Sequence, residues 1–206
     1  MGRKPARTSR HGPPQETAVS VPPLASPDRL LPPVEAAHFR HVLGHVPTAV
    51  SVVTAMTPEG PVGVTVGSFT SVSLDPPLVV FYSGLHSATA AAIVASGEYC
   101  VNVLAEDQQD VCSAFAGRST DRFASGSWES QPGRPPRLHG ALAWIECSVE
   151  AGTPAGDHVA VLGRVHSLAL ADRPGRPLVF YRGRLLRLGP ARLRDVPTHR
   201  FDWWSG

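Results

Sequence analysis

The sequence is nearly devoid of lysine. Lys4 is the only lysine in 206 residues, and it lies in an N-terminal stretch whose apolar residues show no period. A Schiff-base enzyme needs a lysine in its core, and a P-loop needs a Gly-Lys-Ser/Thr motif. The Gly-x-Ser-x-Gly and His-Glu-x-x-His motifs are absent as well. These absences argue against Schiff-base, P-loop, serine-hydrolase and zincin chemistry.

Cysteine is also scarce. The chain has three cysteines, Cys100, Cys112 and Cys147, and no Cys-x-x-Cys pair. Such wide spacing predicts reduced, mostly buried thiols and no disulfide framework or cysteine zinc site. His38, His41 and His45 have helical spacing, but no carboxylate or cysteine completes a ligand set, so no metal is expected.

Strong charge and long apolar runs are missing too. The formal net charge is only +2, with 17% charged and 42% hydrophobic residues. The composition is that of a globular protein, and the near-neutral charge argues against nucleic acid as the main partner. No apolar run reaches the roughly 18 residues of a membrane span, and no apolar h-region follows the basic N-terminus. We therefore expect a cytoplasmic protein without membrane contact.

Composition divides the chain into three parts. Residues 1–33 are rich in Pro, Arg, Ser and Gly and predict a disordered tail, in which the basic residues Arg3, Lys4, Arg7 and Arg10 are expected to be solvated. Residues 34–190 predict one folded domain. Residues 191–206 form a second tail that ends in aromatic residues. Docking of these residues on the body of the protein and docking on a partner subunit both stay open.

Periodicity predicts a mainly β fold. Helices are expected over residues 34–45, 87–96 and 106–115, with Ser87 as the N-cap and Gly97 as the stop of the second. Val- and Thr-rich or alternating stretches predict about seven or eight strands. These cover residues 48–57, 62–68, 78–82, 99–104, 142–151, 158–169, 178–182 and 184–188, and residues 71–73 are expected to be extended. A turn is expected over residues 152–156 and an irregular loop over residues 118–136. Strands joined by short turns favour an antiparallel barrel with short helices at its rim over a doubly wound parallel sheet.

Three segments carry the residue types of a ligand site. Residues 63–78 combine glycines, small hydroxyl residues and Phe69 before the pair Pro76-Pro77, which suits a planar heterocycle but also an ordinary Ser/Thr-rich strand pair. Residues 83–89 leave a strand and open a helix, which suits a phosphate but also a simple capped helix. Residues 155–158 place Asp157 and His158 at the start of a long strand.

Together these segments resemble the flavin reductase-like family with the FMN-binding split barrel, the reductase partners of two-component flavin monooxygenases. The resemblance covers about residues 35 to 190. Its anchors are, in order, Phe39-Arg40, residues 47–54, the Ser-Phe-x-Ser-Val-Ser-x-x-Pro-Pro block at 68–77, residues 101–104, Asp121-Arg122-Phe123, Glu146-Cys147, Gly156-Asp157-His158 and Gly163-Arg164-Val165.

The resemblance implies an antiparallel split barrel and an NAD(P)H-dependent flavin reductase. The flavin ring would be lined by Thr48, Thr65, Val66, Gly67, Ser68, Phe69 and Ser71, and its phosphate by Ser83, Ser87, Ala88 and Thr89. Asp121, Arg122 and Phe123 would close the pocket from a loop, although Asp121-Arg122 is as well explained as a structural ion pair. Asp157 and His158 would lie where the nicotinamide stacks, with His158 positioning or polarising it. Gly67 departs from the family pattern, in which many relatives carry a side chain, often Asn, that faces the flavin.

The implied reaction fits the missing motifs. Hydride transfer from NADH or NADPH to FMN or FAD needs no nucleophile and no metal, because the cofactors carry the chemistry. The resemblance also implies a homodimer and a separate oxygenase that receives reduced flavin. Two alternatives stay open: an FMN-containing oxidoreductase that acts directly on a small organic substrate, and a non-catalytic flavin- or haem-binding protein on the same barrel.

Overall fold

The computed structural model describes residues 33–117, 121–172 and 175–188 of the chain. The predictions for the two tails, including the basic cluster and the C-terminal aromatics, lie outside these residues. The described part contains three α-helices: α1 (Ala36–Leu43), α2 (Ala88–Ser96) and α3 (Gln109–Ala116). It contains twelve strands: β1 (Thr48–Ala49), β2 (Ser51–Thr57), β3 (Gly60–Val66), β4 (Thr70–Leu74), β5 (Pro77–Gly84), β6 (Glu98–Val103), β7 (Trp128–Glu129), β8 (Arg137–Leu138), β9 (Ala143–Ala155), β10 (His158–Leu170), β11 (Leu178–Tyr181) and β12 (Arg184–Arg187).

The main sheet has seven antiparallel strands in the order β3-β2-β6-β9-β10-β5-β4. Its two edges are therefore β3 and β4, which are consecutive in sequence and joined by residues 67–69. A second sheet has the order β1-β11-β12, and β7 pairs with β8. The antiparallel, mainly β architecture expected from the sequence is confirmed.

The inner face of the main sheet forms the larger core. Alternate residues of each strand point inward, as a period of two requires, and the buried side chains include Val53, Phe81, Tyr99, Val101 and Val161. A smaller core lies on the outer face of β2, where Val52, Leu104 and Leu178 pack with Phe115 of α3. The three cysteines are free and buried, as predicted.

Several element boundaries differ from the prediction. The first and third helices are shorter than expected and span Ala36–Leu43 and Gln109–Ala116. The turn predicted over residues 152–156 is wrong, because β9 continues to Ala155, which pairs with His158. Pro154 has a local preference for turns, yet Thr153 and Pro154 extend a 13-residue strand. Ser87 and Gly97 cap α2 as predicted.

The loop predicted over residues 118–136 has local order where it is described. A 3-10 turn at Arg122–Ala124 precedes β7, and the strand pair β7–β8 follows. A buried polar network ties this segment to the barrel: the Asn102 side chain donates to Val52 O at 3.0 Å and accepts from Leu138 N at 2.7 Å. Thr54 Oγ1 donates to Pro136 O at 2.6 Å. These bonds pair polar groups that burial would otherwise make costly.

No helix among the described residues combines the length and the apolar character needed to cross a membrane.

Asn102→Ala is expected to lower the free energy of unfolding by about 2–4 kcal/mol, because the buried Leu138 N–H loses its acceptor. Gln131→Ala is the matched control: its amide is exposed and bonds only Glu129, at 3.0 Å, so a change below about 0.5 kcal/mol is expected. Denaturant titration of both variants measures the difference. Equal effects would contradict the structural role of Asn102.

Candidate functional site

The candidate site begins at the edge of strand β3. This strand has a single sheet neighbour, β2, among the described residues. The Gly63 carbonyl accepts a hydrogen bond from Arg122 Nη1 at 2.9 Å, so the backbone groups of Gly63 face away from β2. Because these groups alternate along an antiparallel strand, Thr65 shares this orientation. The edge therefore presents backbone donors and acceptors to any planar group placed beside it.

Thr48 and Gly67 meet at one end of this edge. A Cβ atom on Gly67 would lie 2.9 Å from Thr48 Oγ1, closer than real Cβ contacts allow. Glycine at 67, the departure from the family pattern, thus makes room for the Thr48 hydroxyl. A side chain at 67 would require Thr48 to move.

Ser68 fastens the connection between the two edge strands. Its Oγ donates to Tyr82 O at 3.1 Å and accepts from Tyr82 N at 3.0 Å. This pair of hydrogen bonds to β5 holds the backbone from Gly67 to Thr70 in place. Two of the residues predicted to line the flavin ring, Val66 and Phe69, instead point their side chains into or against the barrel core. Ser71, from the same predicted set, is exposed.

An apolar slot of about 360 Å³ opens on the outer face of β3. Thr65 and Gly67 form part of its wall, and Thr65 Oγ1 donates to Cys112 O at 2.9 Å, which holds α3 against the strand. The volume lies within the range of small-molecule sites, roughly 300–1,000 Å³. The other lining residues come from the position just before β2, one face of α3 and the β11–β12 hairpin: Val50, Cys112, Ser113, Ala116, Phe180 and Leu185.

Sequence reasoning missed these last six residues. The spacing of the small residues at 112, 113 and 116 marks one helical face and is a signal that was available. Phe180 reaches the slot because β11 pairs with β1, with Thr48 opposite Phe180. That pairing joins residues more than a hundred positions apart and has no local signature.

Arg122 joins three elements beside the slot. Its guanidinium donates to Gly63 O at 2.9 Å, to Thr89 Oγ1 at 3.4 Å and to Gly117 O at 3.1 Å. All three acceptors are neutral oxygens, so its positive charge stays available to an anion. Asp121 caps the 3-10 turn through Ala124 N at 3.2 Å.

The first turn of α2 lies next to this guanidinium. Ser87 Oγ accepts from Ala90 N at 3.2 Å, while Ala88 is exposed and Thr89 contacts Arg122. A helix N-terminus beside a cation favours an anionic group. Ser83 is buried, with 7% exposure. Phe123 packs edge-on against both Phe115 and Trp128, with 5.0 Å between the ring centroids of each pair.

His158 and Asp157 lie at the tip of the β9–β10 hairpin. Gly156, with φ of 66°, allows the two-residue turn. Asp157 Oδ1 and His158 Nδ1 are 2.6 Å apart, and Leu85 N donates to Asp157 O at 2.9 Å. The hydrogen bond from His158, followed by its charge, lowers the pKa of Asp157. This pairing orients the half-exposed imidazole and reserves Nε2 for another group.

Strand register brings the separate segments to one end of β5. His158 pairs with Gly84, which is two residues beyond Tyr82, the residue that Ser68 bonds. Helix α2 starts four residues after Gly84. The Ser68 loop, the α2 N-terminus and the Asp157–His158 pair are therefore neighbours along one strand end.

A polar cavity of about 230 Å³ lies elsewhere, and one of its lining residues, Glu146, is paired with Arg137. Arg137 Nε lies 3.0 Å from Glu146 Oε1, and its Nη2 lies 2.9 Å from Oε2. Burial opposes the charged form of Glu146, but the bonds from Arg137 outweigh it and lower the pKa. We interpret this ion pair as structural. No group of three or more His, Cys, Asp or Glu among the described residues is arranged to hold a metal.

Comparison with known proteins identifies a family and similar chains. The family model described as "Flavin reductase like domain" matches residues 43–189. The chain is 43% identical over 164 residues to the flavin-dependent monooxygenase reductase subunit HsaB of Rhodococcus jostii, covering 80% of this chain and 84% of that protein.

Two solved structures are similar to it. One is nitrilotriacetate monooxygenase component B of Mycobacterium thermoresistibile, with TM-score 0.71, 41% identity and coverage of 78% of this chain and 93% of that one. The other is the Streptomyces globisporus NADH:FAD oxidoreductase SgcE6 in complex with NAD and FAD fragments, with TM-score 0.71, 33% identity and coverage of 76% and 94%.

Proposed function

The chain belongs to the flavin reductase-like family, and from that membership we propose that it is an NAD(P)H:flavin oxidoreductase that supplies reduced FMN or FAD to a separate monooxygenase. The observation that carries the proposal is that three segments meet at one end of β5. They are the Ser68 loop, the α2 N-terminus and the Asp157–His158 pair. A non-catalytic binder would not need the last of these. Relatives named as reductase subunits favour this function over direct oxidation of an organic substrate.

The residues of the slot fit a flavin. Its apolar walls suit a tricyclic ring, and the Thr65 backbone at the free strand edge suits the polar rim of that ring. Arg122 and the first turn of α2 offer a cation and free N–H groups to a phosphate. We propose that the ring lies along β3 near Thr48, Thr65 and Gly67, with the phosphate beside Arg122 and Thr89.

When bound, the flavin supplies the acceptor for the hydride of the reduced nicotinamide. The protein's part is to orient and to exclude water. Ser68 keeps the loop rigid through its two bonds to Tyr82. The carboxylate of Asp157 holds the His158 ring by Nδ1, so that Nε2 can donate to or accept from the nicotinamide carboxamide.

Turnover tests the proposal. Purified protein mixed with FMN or FAD is expected to oxidise NADH or NADPH, measured by loss of nicotinamide absorbance. His158→Ala is expected to raise KM for the nicotinamide about three- to tenfold, the worth of one hydrogen bond, with flavin binding intact. His166→Ala, an exposed histidine on the same strand, is the control. No turnover with any flavin and nicotinamide pair would reject the function, and lost flavin binding in His158→Ala would reject the role of His158.

Arg122 is expected to bind the flavin phosphate. Arg122→Gln should weaken FMN binding about tenfold or more, because a charge-assisted bond is lost. Riboflavin, which has no phosphate, should lose clearly less affinity, because it is affected only by the loss of the Arg122 bonds to Gly63 O and Gly117 O. Arg164→Gln, at an exposed Arg that pairs with Glu150, should change neither. Flavin fluorescence titration measures both ligands, and equal losses for FMN and riboflavin would contradict the assignment.

We further propose that the protein is a homodimer. Two exposed apolar pairs lie on strand ends, Leu168 (72% exposed) with Leu170 (81%) and Val72 with Leu74. A monomer leaves such contiguous apolar surface in water at a cost. Sedimentation is expected to give a dimer mass, and Leu168→Asp combined with Leu170→Asp is expected to shift it towards monomer. A monomeric wild-type protein would contradict the proposal.

A further inference from the structure

A second pocket, of about 380 Å³, lies between helix α1 and the tip of the β11–β12 hairpin. We call it the hairpin pocket, and its lining contains two arginines, two histidines and no carboxylate: Ala37, Arg40, His41, Gly44, His45, Arg182 and Gly183. Neither Arg40 nor Arg182 lies within ion-pair distance of a carboxylate among the described residues. Two guanidinium groups without partners make this pocket suited to an anion.

The simplest structural explanation is that basic residues complement the C-terminal dipole of α1. The carbonyls of that end, however, already have donors. Gly44 N donates to Arg40 O at 2.9 Å, and His45 Nδ1 lies 2.8 Å from His41 O. His45 N, Val46 N and Arg182 N bond the next three carbonyls at 2.9–3.0 Å. The guanidinium groups of Arg40 and Arg182 are thus not needed to satisfy the helix end.

The pocket is rigidly built. The bond from Arg182 N to Gly44 O holds the hairpin tip on the helix, and a Cβ on Gly44 would lie 3.0 Å from Arg40 O and 3.9 Å from the Arg182 Cα. The His45 ring packs edge-on against His41 and Tyr181, with centroids 5.2 and 6.1 Å apart. Backbone and ring contacts therefore fix the distance between the helix and the hairpin.

The pocket is electrostatically connected to the Asp157–His158 pair. Besides the hydrogen bond and charge of His158, the charge of Arg40 contributes to the lowered pKa of Asp157. Arg40 therefore lies close enough to act on the residue that orients the proposed nicotinamide ligand. A nicotinamide dinucleotide carries both a ring for His158 and phosphate groups for a cationic pocket, which is why we choose it as the candidate ligand.

We propose that the hairpin pocket binds phosphate groups of the nicotinamide dinucleotide, with Arg40 and Arg182 as the residues that contact them. This inference rests on the proposed reductase function. The same chemistry suits the phosphate of a flavin, so the experiment distinguishes the two sources. Both arginines are exposed, and solvent screens their charges; the expected effects are therefore moderate.

The direct test is calorimetric titration of flavin-free protein with inorganic pyrophosphate. Wild-type protein is expected to bind it, and Arg40→Gln and Arg182→Gln are each expected to weaken binding about five- to tenfold. Arg187→Gln is the matched control, because Arg187 lies on the same hairpin but outside the pocket. Arg182→Lys keeps the charge and should retain most of the affinity. Unchanged binding in both glutamine variants would overturn the proposal.

Steady-state kinetics and flavin titration identify the source of the phosphate. Arg40→Gln and Arg182→Gln are expected to raise KM for NADH about five- to tenfold, with kcat and the Kd for FMN unchanged. Weaker FMN binding with an unchanged KM for NADH would overturn the proposal and assign the pocket to the flavin. If wild-type protein does not oxidise NADH at all, the reductase function fails, whereas the pyrophosphate titration still reports on the pocket.

Discussion

The open edge of strand β3 is the constraint on which the site depends. A seven-stranded antiparallel sheet that ends in β3 and β4 leaves the backbone of β3 without a second partner, and such an edge normally invites uncontrolled pairing. Here the edge has other partners: the Arg122 side chain donates a hydrogen bond to the Gly63 carbonyl, and α3 covers the outer face, held by the bond from Thr65 Oγ1 to Cys112 O. What remains exposed between these contacts and Thr48 is the stretch that borders the apolar slot. The split in the barrel and the proposed ligand site are thus one feature.

The surrounding contacts serve to keep this edge in place. Ser68 binds the crossing loop to β5, and the network of Asn102 and Thr54 fixes the segment that carries the 3-10 turn. Arg122 then reaches β3, α2 and the end of α3 from that turn. Hydride transfer requires two rings to be held in a fixed relation, and a binding surface assembled on strands and helix ends provides that rigidity.

Much of this was predictable from local pattern. Ser87 and Gly97 bounded α2 because capping is a property of single residues and their nearest neighbours, and Val/Thr-rich alternation marked the strands. The resemblance implies a role for His158 at the nicotinamide, which stays a prediction, whereas its bond to Asp157 and its place opposite Gly84 required coordinates. Phe180 and Leu185 could not be predicted as slot residues, because strand pairing over long separations sets their position. The extension of β9 through Thr153 and Pro154 overrode local turn propensity, as sheet context often does.

The central claim is that the flavin ring lies against the β3 edge, between α3 and the β11–β12 hairpin. A crystal structure of the protein grown with FMN tests it directly. Density for the flavin ring is expected in the slot beside Thr65 and Gly67, with the phosphate at Arg122 and the first turn of α2. Ring density in the polar cavity around Glu98 and Glu146, or anywhere away from β3, would contradict it.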